Sequence, residues 1–314
     1  MQTSDVIIIG AGMTGIAAGI AFQSLGEKPI LLDKGKGFGG RMATRRIEAS
    51  SFDHGAQYIQ PSLRFLNWLQ QNSSSNQLST WNFASSKKIF IAPQGMSSLA
   101  KDLSKTLKVQ LNSKVTTLKR HNEAWLVEDE SGQSYSSKKV LLTAPLPQAL
   151  ALLEQNNIMI DDTELSSITY RPCLALMMNL SKIHNLPETG GMFIKNPILE
   201  WVCDNKKKGL TNELHSVTVH CTEAFSKDKY DLSDEKIYDL IYAEFQKYFP
   251  NELTSYEVKK WKYASPLAYY KSVYYRSQFP GLYLAGDAFG GNSLDGAFRS
   301  GSAAAYVMKD DILV

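Results

Sequence analysis

A glycine-rich turn between two apolar segments constrains the fold of this chain more than any other feature. The apolar, β-branched run at 6–9 leads directly into Gly10-x-Gly12-x-x-Gly15, and small and apolar residues continue from there. A second apolar run ends in Asp33. A strand, a helix and a strand within about thirty residues predict the βαβ unit of a Rossmann-like domain.

The same spacing predicts what the turn binds. Glycines allow the backbone to approach a pyrophosphate, and the N-terminus of the following helix attracts the anion. Asp33 closes the second strand eighteen residues after Gly15, where a carboxylate accepts hydrogen bonds from an adenosine ribose and disfavours a 2′-phosphate. A glycine-rich turn can be purely structural, but the strand, helix and acid in register favour FAD or NAD over NADP.

A second glycine-rich segment, residues 35–41, ends in Arg41. The planar guanidinium of arginine can bridge phosphate oxygens. Taken alone, this segment is equally consistent with a mobile surface loop. Together with Gly55-Ala56-Gln57-Tyr58 and the distant Gly286-Asp287, it favours FAD.

Several blocks of the chain resemble one family. Residues 10–15, Asp33 and Gly39-Gly40-Arg41 are similar to the flavoprotein superfamily of amine oxidases, protoporphyrinogen oxidases and phytoene desaturases. Within it, four segments resemble the renalase-type oxidoreductases: GRMATRR at 40–46, FDHGAQY at 52–58, WKYA at 261–264 and AGDA at 285–288. Residues from about 150 to 255 carry almost no motif.

The resemblance implies which residues contact FAD. Its pyrophosphate and other phosphates would contact Gly10, Gly12, Met13, Thr14, Gly15, Gly40 and Arg41. The adenosine would contact Asp33, Lys34 and the backbone of Val115. The ribitol and flavin ring would contact His54, Gly55, Ala56, Gln57, Tyr58, Asp287, and the helix N-terminus at Gly296 and Ala297. A helix N-terminus there would favour the anionic reduced flavin.

Two departures from related proteins refine this expectation. Asp295 stands where the family often has glutamate, and none of the three cysteines lies near the expected flavin positions, so we expect the FAD to be non-covalent. The chain has no second glycine-rich fingerprint and no redox C-x-x-x-x-C. Both absences count against the two-nucleotide disulfide reductases.

The expected fold is α/β, with a Rossmann-like FAD-binding domain that includes a β-meander. An α+β substrate domain with a mixed or antiparallel sheet completes it. We expect the FAD-binding domain to comprise 1–72, 88–150 and 262–314, and the substrate domain to comprise 73–87 and 151–261. The meander is predicted from strand-like segments at 109–111, 114–118, 124–128 and 140–143, before Pro145 and Pro147 end the pattern.

The composition of the chain excludes few classes of function. The formal charge is 34 − 31 = +3 with interspersed signs, which neither demands nor excludes nucleic acid, and we expect none. Three unpaired cysteines indicate a reducing compartment, and no apolar run suits a signal peptide or a membrane span. We therefore expect a cytoplasmic protein without a membrane partner; its oligomeric state is not predicted.

The resemblance also implies a reaction. An FAD-dependent oxidase would take a hydride from dihydropyridine isomers of NAD(P)H onto flavin N5, with dioxygen as acceptor, giving NAD(P)⁺ and hydrogen peroxide. Loss of hydride restores aromaticity, so no general base is needed. The residues expected near this small-molecule substrate are Gln57, Tyr58, His220 and Tyr263.

Plainer interpretations compete at several of these positions. His220 lies in a strand-like run and is more simply a packed or exposed strand residue. Tyrosine-rich stretches such as 263–275 are more often core or strand surface than a cofactor cage. The run 206–209, Lys-Lys-Lys-Gly, is most simply a solvated turn.

Two other functions stay open at this stage. One is an amine oxidase or desaturase of the same superfamily, whose flavin site would be nearly the same. The other is a flavin-binding redox sensor without turnover, although no output domain is visible in the sequence.

The predicted ribose contact is testable. Replacing Asp33 with alanine should weaken FAD binding by about 1.5–3 kcal/mol, the size of a hydrogen bond to a charged group, without unfolding the chain. Titration of the apoprotein with FAD measures this difference. Full affinity in Asp33→Ala would show that the carboxylate does not hold the ribose.

Overall fold

The structure is a computed structural model that describes residues 1–83, 88–210 and 214–311. Its strands are β1 (Gln2–Thr3), β2 (Val6–Ile9), β3 (Pro29–Leu32), β4 (Thr44–Ile47), β5 (Ser50–Asp53), β6 (Ser79–Thr80), β7 (Phe90–Ile91), β8 (Lys108–Gln110), β9 (Val115–His121), β10 (Ala124–Asp129), β11 (Ser134–Ser137), β12 (Lys139–Leu142), β13 (Tyr170–Ile183), β14 (Gly191–Phe193), β15 (Leu199–Asp204), β16 (His215–Cys221), β17 (Asn251–Pro266), β18 (Tyr275–Arg276) and β19 (Leu282–Leu284).

The helices are α1 (Met13–Ser24), α2 (Leu63–Asn72), α3 (Met96–Leu103), α4 (Leu146–Gln155), α5 (Thr163–Ser167), α6 (Asn205–Lys208), α7 (Glu223–Lys229), α8 (Asp234–Tyr248), α9 (Asp287–Gly290) and α10 (Leu294–Asp310). A short 3₁₀ turn spans Gly40–Met42. The helix predicted after the glycine turn corresponds to α1, and the helix whose N-terminus was expected near Gly296 corresponds to α10.

A six-stranded sheet with the order β18-β19-β12-β2-β3-β8 forms the first layer, and all its neighbours are parallel except β18 and β19. In β2, Val6 and Ile8 face a core that also contains α1, α3 and α10. Ile7 and Ile9 face a second core. Strands buried on both faces need the continuous apolar run seen in the sequence. The predicted Rossmann-like α/β fold is confirmed.

The β-meander is smaller than predicted. Only β9, β10 and β11 form it, and β1 pairs in parallel with β11 at its edge. The predicted strands at 109–111 and 140–143 are instead β8 and β12 of the six-stranded sheet. Spacing along the chain could not separate the two sheets, because a short apolar strand has the same sequence pattern in either one.

A five-stranded antiparallel sheet with the order β14-β15-β16-β13-β17 forms the second unit. One of its faces packs under α8, where Leu176 and Val219 share a core with Ile241. Residues paired across antiparallel strands lie on the same face of the sheet. By this register, the opposite face carries three ring side chains: Trp201, His220 and Trp261.

Residues beyond the predicted domain boundary at residue 150 still pack on the six-stranded sheet. Four residues beyond it share a core with Leu142 of the six-stranded sheet: Leu153, Ile158, Leu165 and Ile168. The reason is that Pro145 and Pro147 begin α4, which packs back on the sheet, instead of ending the domain. We therefore propose a boundary near residue 168. Of the predicted domain segments, 84–87, 211–213 and 312–314 lie outside the described residues.

No helix within the described ranges is long and apolar enough to cross a lipid bilayer.

Helix α10 packs on α1 at backbone distance, and glycine makes this possible. A Cβ placed on Gly301 would lie 2.1 Å from the carbonyl oxygen of Thr14. Gly301→Ala should therefore lower the free energy of unfolding by about 1–3 kcal/mol, the usual cost of overpacking a well-packed contact.

Urea or thermal unfolding of the purified protein checks this expectation. Gly37→Ala is the matched control, because a Cβ on Gly37 would meet no atom within 4 Å. Its effect should stay within about 0.5 kcal/mol. Equal stability of the two variants would contradict the close contact between the helices.

Candidate active site

The glycine turn has the geometry of a phosphate cradle. Gly10 has a φ of 117°, and a Cβ on Gly15 would lie 2.0 Å from the carbonyl oxygen of Gly10. Gly12 caps α1 without any side-chain acceptor for the first-turn N–H groups, and Met13 and Thr14 follow it inside the helix. An uncapped helix start next to a tight glycine turn suits an anionic group such as a pyrophosphate.

Asp33 holds this turn in place. Its carboxylate accepts hydrogen bonds from the N–H of Ala11 at 2.6 Å and of Gly35 at 2.7 Å. A carboxylate has about four acceptor positions, so these two bonds leave capacity for a ribose. Asp33 therefore couples the two glycine-rich segments to each other.

The other predicted adenosine contacts lie around Asp33. The exposed Lys34 donates from Nζ to Gln148 Oε1 at 3.0 Å. The backbone N–H of Ser113 donates to the carbonyl oxygen of Asp33 at 2.8 Å, which brings the start of β9 at Val115 beside this loop. The Val115 side chain is buried in the second core, so only its backbone is available to a ligand.

The second glycine-rich segment packs directly on the first. Gly12 and Gly39 form a parallel bridge, and the Gly39 N–H donates to the carbonyl oxygen of Ala11 at 3.1 Å. Gly40 has a φ of 55°, and a Cβ on it would lie 3.7 Å from the Cα of Gly12. The turn that presents Arg41 is thus attached to the phosphate cradle.

Arg41 and Asp287 are brought together from opposite ends of the chain. Their ion pair has an Nη1–Oδ2 distance of 2.5 Å, and Tyr170 donates its hydroxyl to the other carboxylate oxygen at 2.9 Å. Arg41 also donates to the carbonyl oxygens of Tyr263 and Ala264. Burial opposes its charge, but Asp287 more than offsets this, so the pKa of Arg41 is raised.

The N-terminus of α10 is already partly capped. Ser293 Oγ accepts the N–H of Gly296 at 3.0 Å, and the Ser293 carbonyl oxygen accepts the N–H of Ala297 at 2.9 Å. The two amides expected to face the flavin thus have partners within the helix. Asp295 accepts the N–H of Ser62 at 2.7 Å, which ties this helix to the start of α2.

Residues 54–56 run beside Arg41. A Cβ on Gly55 would lie 2.0 Å from the carbonyl oxygen of Arg41, and the Ala56 N–H donates to the same oxygen at 2.9 Å. The carbonyl oxygen of His54 accepts two bonds from the five-stranded sheet. One comes from His220 Nε2 at 3.0 Å and the other from Trp261 Nε1 at 2.9 Å. His220 therefore reaches the segment that was predicted to line the flavin.

The two histidines are uncharged at neutral pH. Burial lowers the pKa of His54 to about 3, with further lowering by Lys259, His220 and Arg45. Burial lowers the pKa of His220 to about 4, opposed by its bond to His54. The His54 ring stacks on Trp261 at 5.2 Å between centroids. These rings supply neutral hydrogen-bonding and stacking surfaces.

Two buried polar atoms of this segment make no hydrogen bond within the described ranges: His54 Nδ1 and Gln57 Oε1. Gln57 uses its Nε2 to donate to the carbonyl oxygens of Asp53 at 2.5 Å and Gly55 at 3.1 Å, and it lies 3.5 Å from His220 Nε2. Buried polar atoms normally have partners. A polar ring such as that of a flavin would supply them, so these residues fit the expected cofactor.

Tyr58 and Tyr263 each pack against other aromatic side chains. Tyr58 belongs to an aromatic cluster, with ring centroids 5.9 Å from Trp201 and 6.3 Å from Trp81, and burial raises its pKa. Tyr263 packs edge-on against Tyr170 at 6.0 Å. Of the four residues expected near the substrate, Gln57 and His220 therefore lie close to each other. Tyr58 packs with Trp201, and Tyr263 packs with Tyr170.

Sequence reasoning missed three residues of this site. Trp261 stood inside a quoted motif but was not singled out. Tyr170 has no local signal, because its partner Asp287 lies 117 residues away. The interpretation of residues 206–209 as a solvated turn was wrong at Lys208, whose side chain is fully buried and pairs with Asp53 at 2.7 Å.

Comparison with known proteins places this geometry in a family. Residues 65–309 match the flavin containing amine oxidoreductases, and residues 8–71 match the NAD(P)-binding Rossmann-like domain. Renalase of Mus musculus is 25% identical over an alignment of 344 residues. The alignment covers 98% of this chain and 99% of renalase.

Solved structures agree at the level of the fold. A protein described as a protoporphyrinogen oxidase from Exiguobacterium has a TM-score of 0.73 at 14% identity, covering 98% of both chains. Putrescine oxidase bound to putrescine has a TM-score of 0.70 at 14% identity, covering 97% of this chain and 98% of its own. The family match extends over most of the chain, and the cradle, the Arg41 turn and the orphaned polar atoms suit its cofactor. This chain therefore belongs to the flavin-containing amine oxidoreductase family and is an FAD-dependent oxidoreductase.

Proposed function

We propose that this enzyme oxidises dihydropyridine isomers of NAD(P)H to NAD(P)⁺. When bound, FAD would supply a hydride acceptor at N5, with dioxygen as the final electron acceptor and hydrogen peroxide as the product. The similarity to renalase supports this reaction. The observation that carries it is the charge distribution around His54, His220 and Trp261.

Lys259 is a cation without a neutralising partner at this position. Its Nζ lies 5.4 Å from the ring centroid of Trp261, which stacks on His54. The side chain is exposed, and within the described part of the chain it forms no ion pair. An exposed lysine at the edge of an aromatic surface suits the phosphates of a dinucleotide whose ring stacks on that surface.

Four carboxylates near His54, His220 and Arg41 are, in contrast, paired with cations. Their ion-pair partners are Arg45 for Glu257, Arg171 for Glu200, Lys208 for Asp53 and Arg41 for Asp287. An ammonium substrate would have to compete with these cations for a carboxylate, whereas an anionic dinucleotide would not. The charges therefore favour the dinucleotide over an amine.

The side chains of the site suit a reaction without a general base. His54 and His220 are neutral, and their positions are set by the His54 carbonyl oxygen, which holds His220 Nε2 at 3.0 Å. Trp201, which pairs with His220 across β15 and β16, joins these rings to an aromatic cluster with Tyr58 and Trp81. These residues bind and orient a donor whose oxidation restores an aromatic ring.

We further propose that FAD is held non-covalently. Cys173, Cys203 and Cys221 are all buried. Burial raises the pKa of Cys173 and of Cys203 to about 12. These thiols therefore stay protonated at neutral pH and are poor nucleophiles towards a flavin.

Anaerobic mixing of the purified enzyme with candidate donors tests the substrate. Bleaching of the flavin absorbance by an equilibrated mixture of NADH isomers, and not by amines such as putrescine, is the expected result. Bleaching by amines alone would assign the enzyme to the amine oxidases instead. Bleaching by neither donor would favour a flavin-binding sensor.

The contribution of Lys259 is measurable by steady-state kinetics. Lys259→Ala should raise KM for the dinucleotide about fivefold, which corresponds to about 1 kcal/mol for an exposed charge–phosphate contact, and should leave kcat nearly unchanged. The salt dependence of kcat/KM should weaken as well. Lys182→Ala is the matched control, since Lys182 lies on the same sheet and pairs with Glu252 at 2.9 Å. Equal KM values for the two variants would argue against the phosphate contact.

The pH dependence separates the two substrate classes further. Because the pKa values of His54 and His220 are about 3 and about 4, neither ring changes charge near neutral pH. The rate of flavin reduction by a dihydropyridine should therefore be flat between about pH 5.5 and 8. An amine would be oxidised faster as pH rises and the ammonium deprotonates. Stopped-flow reduction at several pH values measures this, and a steep rise would count against the dinucleotide.

A further inference from the structure

A buried ion pair next to the candidate active site links helix α6, which follows the five-stranded sheet, to the two-stranded sheet of β4 and β5. Lys208 Nζ lies 2.7 Å from Asp53 Oδ2, and both side chains are 0% exposed. Lys208 ends α6, which follows strand β15 of the five-stranded sheet, and Asp53 ends β5 directly before His54. The ammonium also lies 5.7 Å from the ring centroid of Trp81.

Asp53 connects this lysine to several other elements. Its second carboxylate oxygen accepts bonds from Thr44 Oγ1 at 2.6 Å and from the N–H of Met96 at 2.9 Å. Its backbone N–H donates to Asn205 Oδ1 at 3.4 Å, and its carbonyl oxygen accepts Gln57 Nε2 at 2.5 Å. One residue thus joins β4, α3 and α6 to the side chain of Gln57.

This arrangement is an unusual way to stabilise a fold. Burying two charges costs desolvation that their attraction often fails to recover, and apolar residues of similar size frequently serve as well. The geometry is, by contrast, highly specified, because the carboxylate has a donor on each oxygen and the ammonium is held beside an aromatic ring. The pair therefore suits a role in setting positions.

We propose that Lys208 is a positioning residue for the flavin site. Its ammonium holds Asp53, and Asp53 in turn sets the backbone of His54 and the side chain of Gln57. With Gln57 Nε2 committed to the Asp53 carbonyl oxygen, Gln57 Oε1 is left as a buried acceptor without a protein partner in the described ranges. The inference rests on residues 54–58 lying beside FAD, and it does not depend on which substrate is oxidised.

The experiment compares holoenzyme variants by readouts that need no substrate: FAD affinity, thermal unfolding, and the visible circular dichroism and reduction potential of the bound flavin. Lys208→Met leaves Asp53 buried without its cation and should lower thermal stability. The double variant Asp53→Asn with Lys208→Met removes both charges and should recover most of that stability. Lys207→Met is the control, because the partners of Lys207 among the described residues are the carbonyl oxygens of Leu186 and Pro187 and the exposed Glu188.

The double variant decides the question, even if Lys208→Met alone does not fold. A positioning role predicts that it binds FAD at full stoichiometry, yet differs from the wild type and from Lys207→Met in flavin dichroism and reduction potential. A tenfold or larger loss in the rate of flavin reduction should accompany this, whichever donor proves active. A double variant with wild-type stability, dichroism and potential would overturn the proposal, because the pair would then serve only the fold.

Discussion

The buried contact between Lys208 and Asp53 is the constraint on which the site depends, because it holds the five-stranded antiparallel sheet against the two-stranded β4–β5 sheet, whose last residue leads into the site. The six-stranded parallel sheet carries the phosphate cradle, and the five-stranded antiparallel sheet carries His220 and Trp261. Both reach the short segment that follows Asp53. Its first residue, His54, offers a single carbonyl oxygen to His220 and Trp261. A shift between the sheets would break several buried hydrogen bonds at once.

A second long-range contact closes the other side of the site. Arg41 near the start of the chain pairs with Asp287 near its end, and Tyr170 from the five-stranded sheet completes the group. Parts of the chain that lie far apart in sequence therefore share one buried polar cluster. Because buried charges are costly without partners, Arg41 and Asp287 neutralise each other within this cluster. The buried charges on this side of the site are therefore paired with each other.

The parts of the fold that sequence could predict share one property: each depends on local backbone geometry or on a short periodic pattern. The turn at Gly10–Gly15 needs glycine wherever it occurs, and the closing acid Asp33 has a defined spacing from it. Helix α1 was recognisable because small and apolar residues follow the glycine turn directly. The division between the meander and the six-stranded sheet could not be predicted, since β8 and β12 have the same strand-like sequence pattern as β9, which lies between them in the chain.

By itself, the sequence determined the nucleotide-binding βαβ unit and the class of fold, because glycine turns and strand–helix alternation are encoded over a few residues. The flavin cofactor was indicated by motifs spread along the chain and by the family that they resemble. Only the tertiary structure decided which side chains surround the reacting centre. Lys208 sits in a run of lysines that is typical of solvated turns, yet it is completely buried. Tyr170 meets Asp287 across 117 residues. The physical reason is that burial and charge pairing are properties of the assembled core, where the partner that stabilises a buried charge comes from a distant part of the chain.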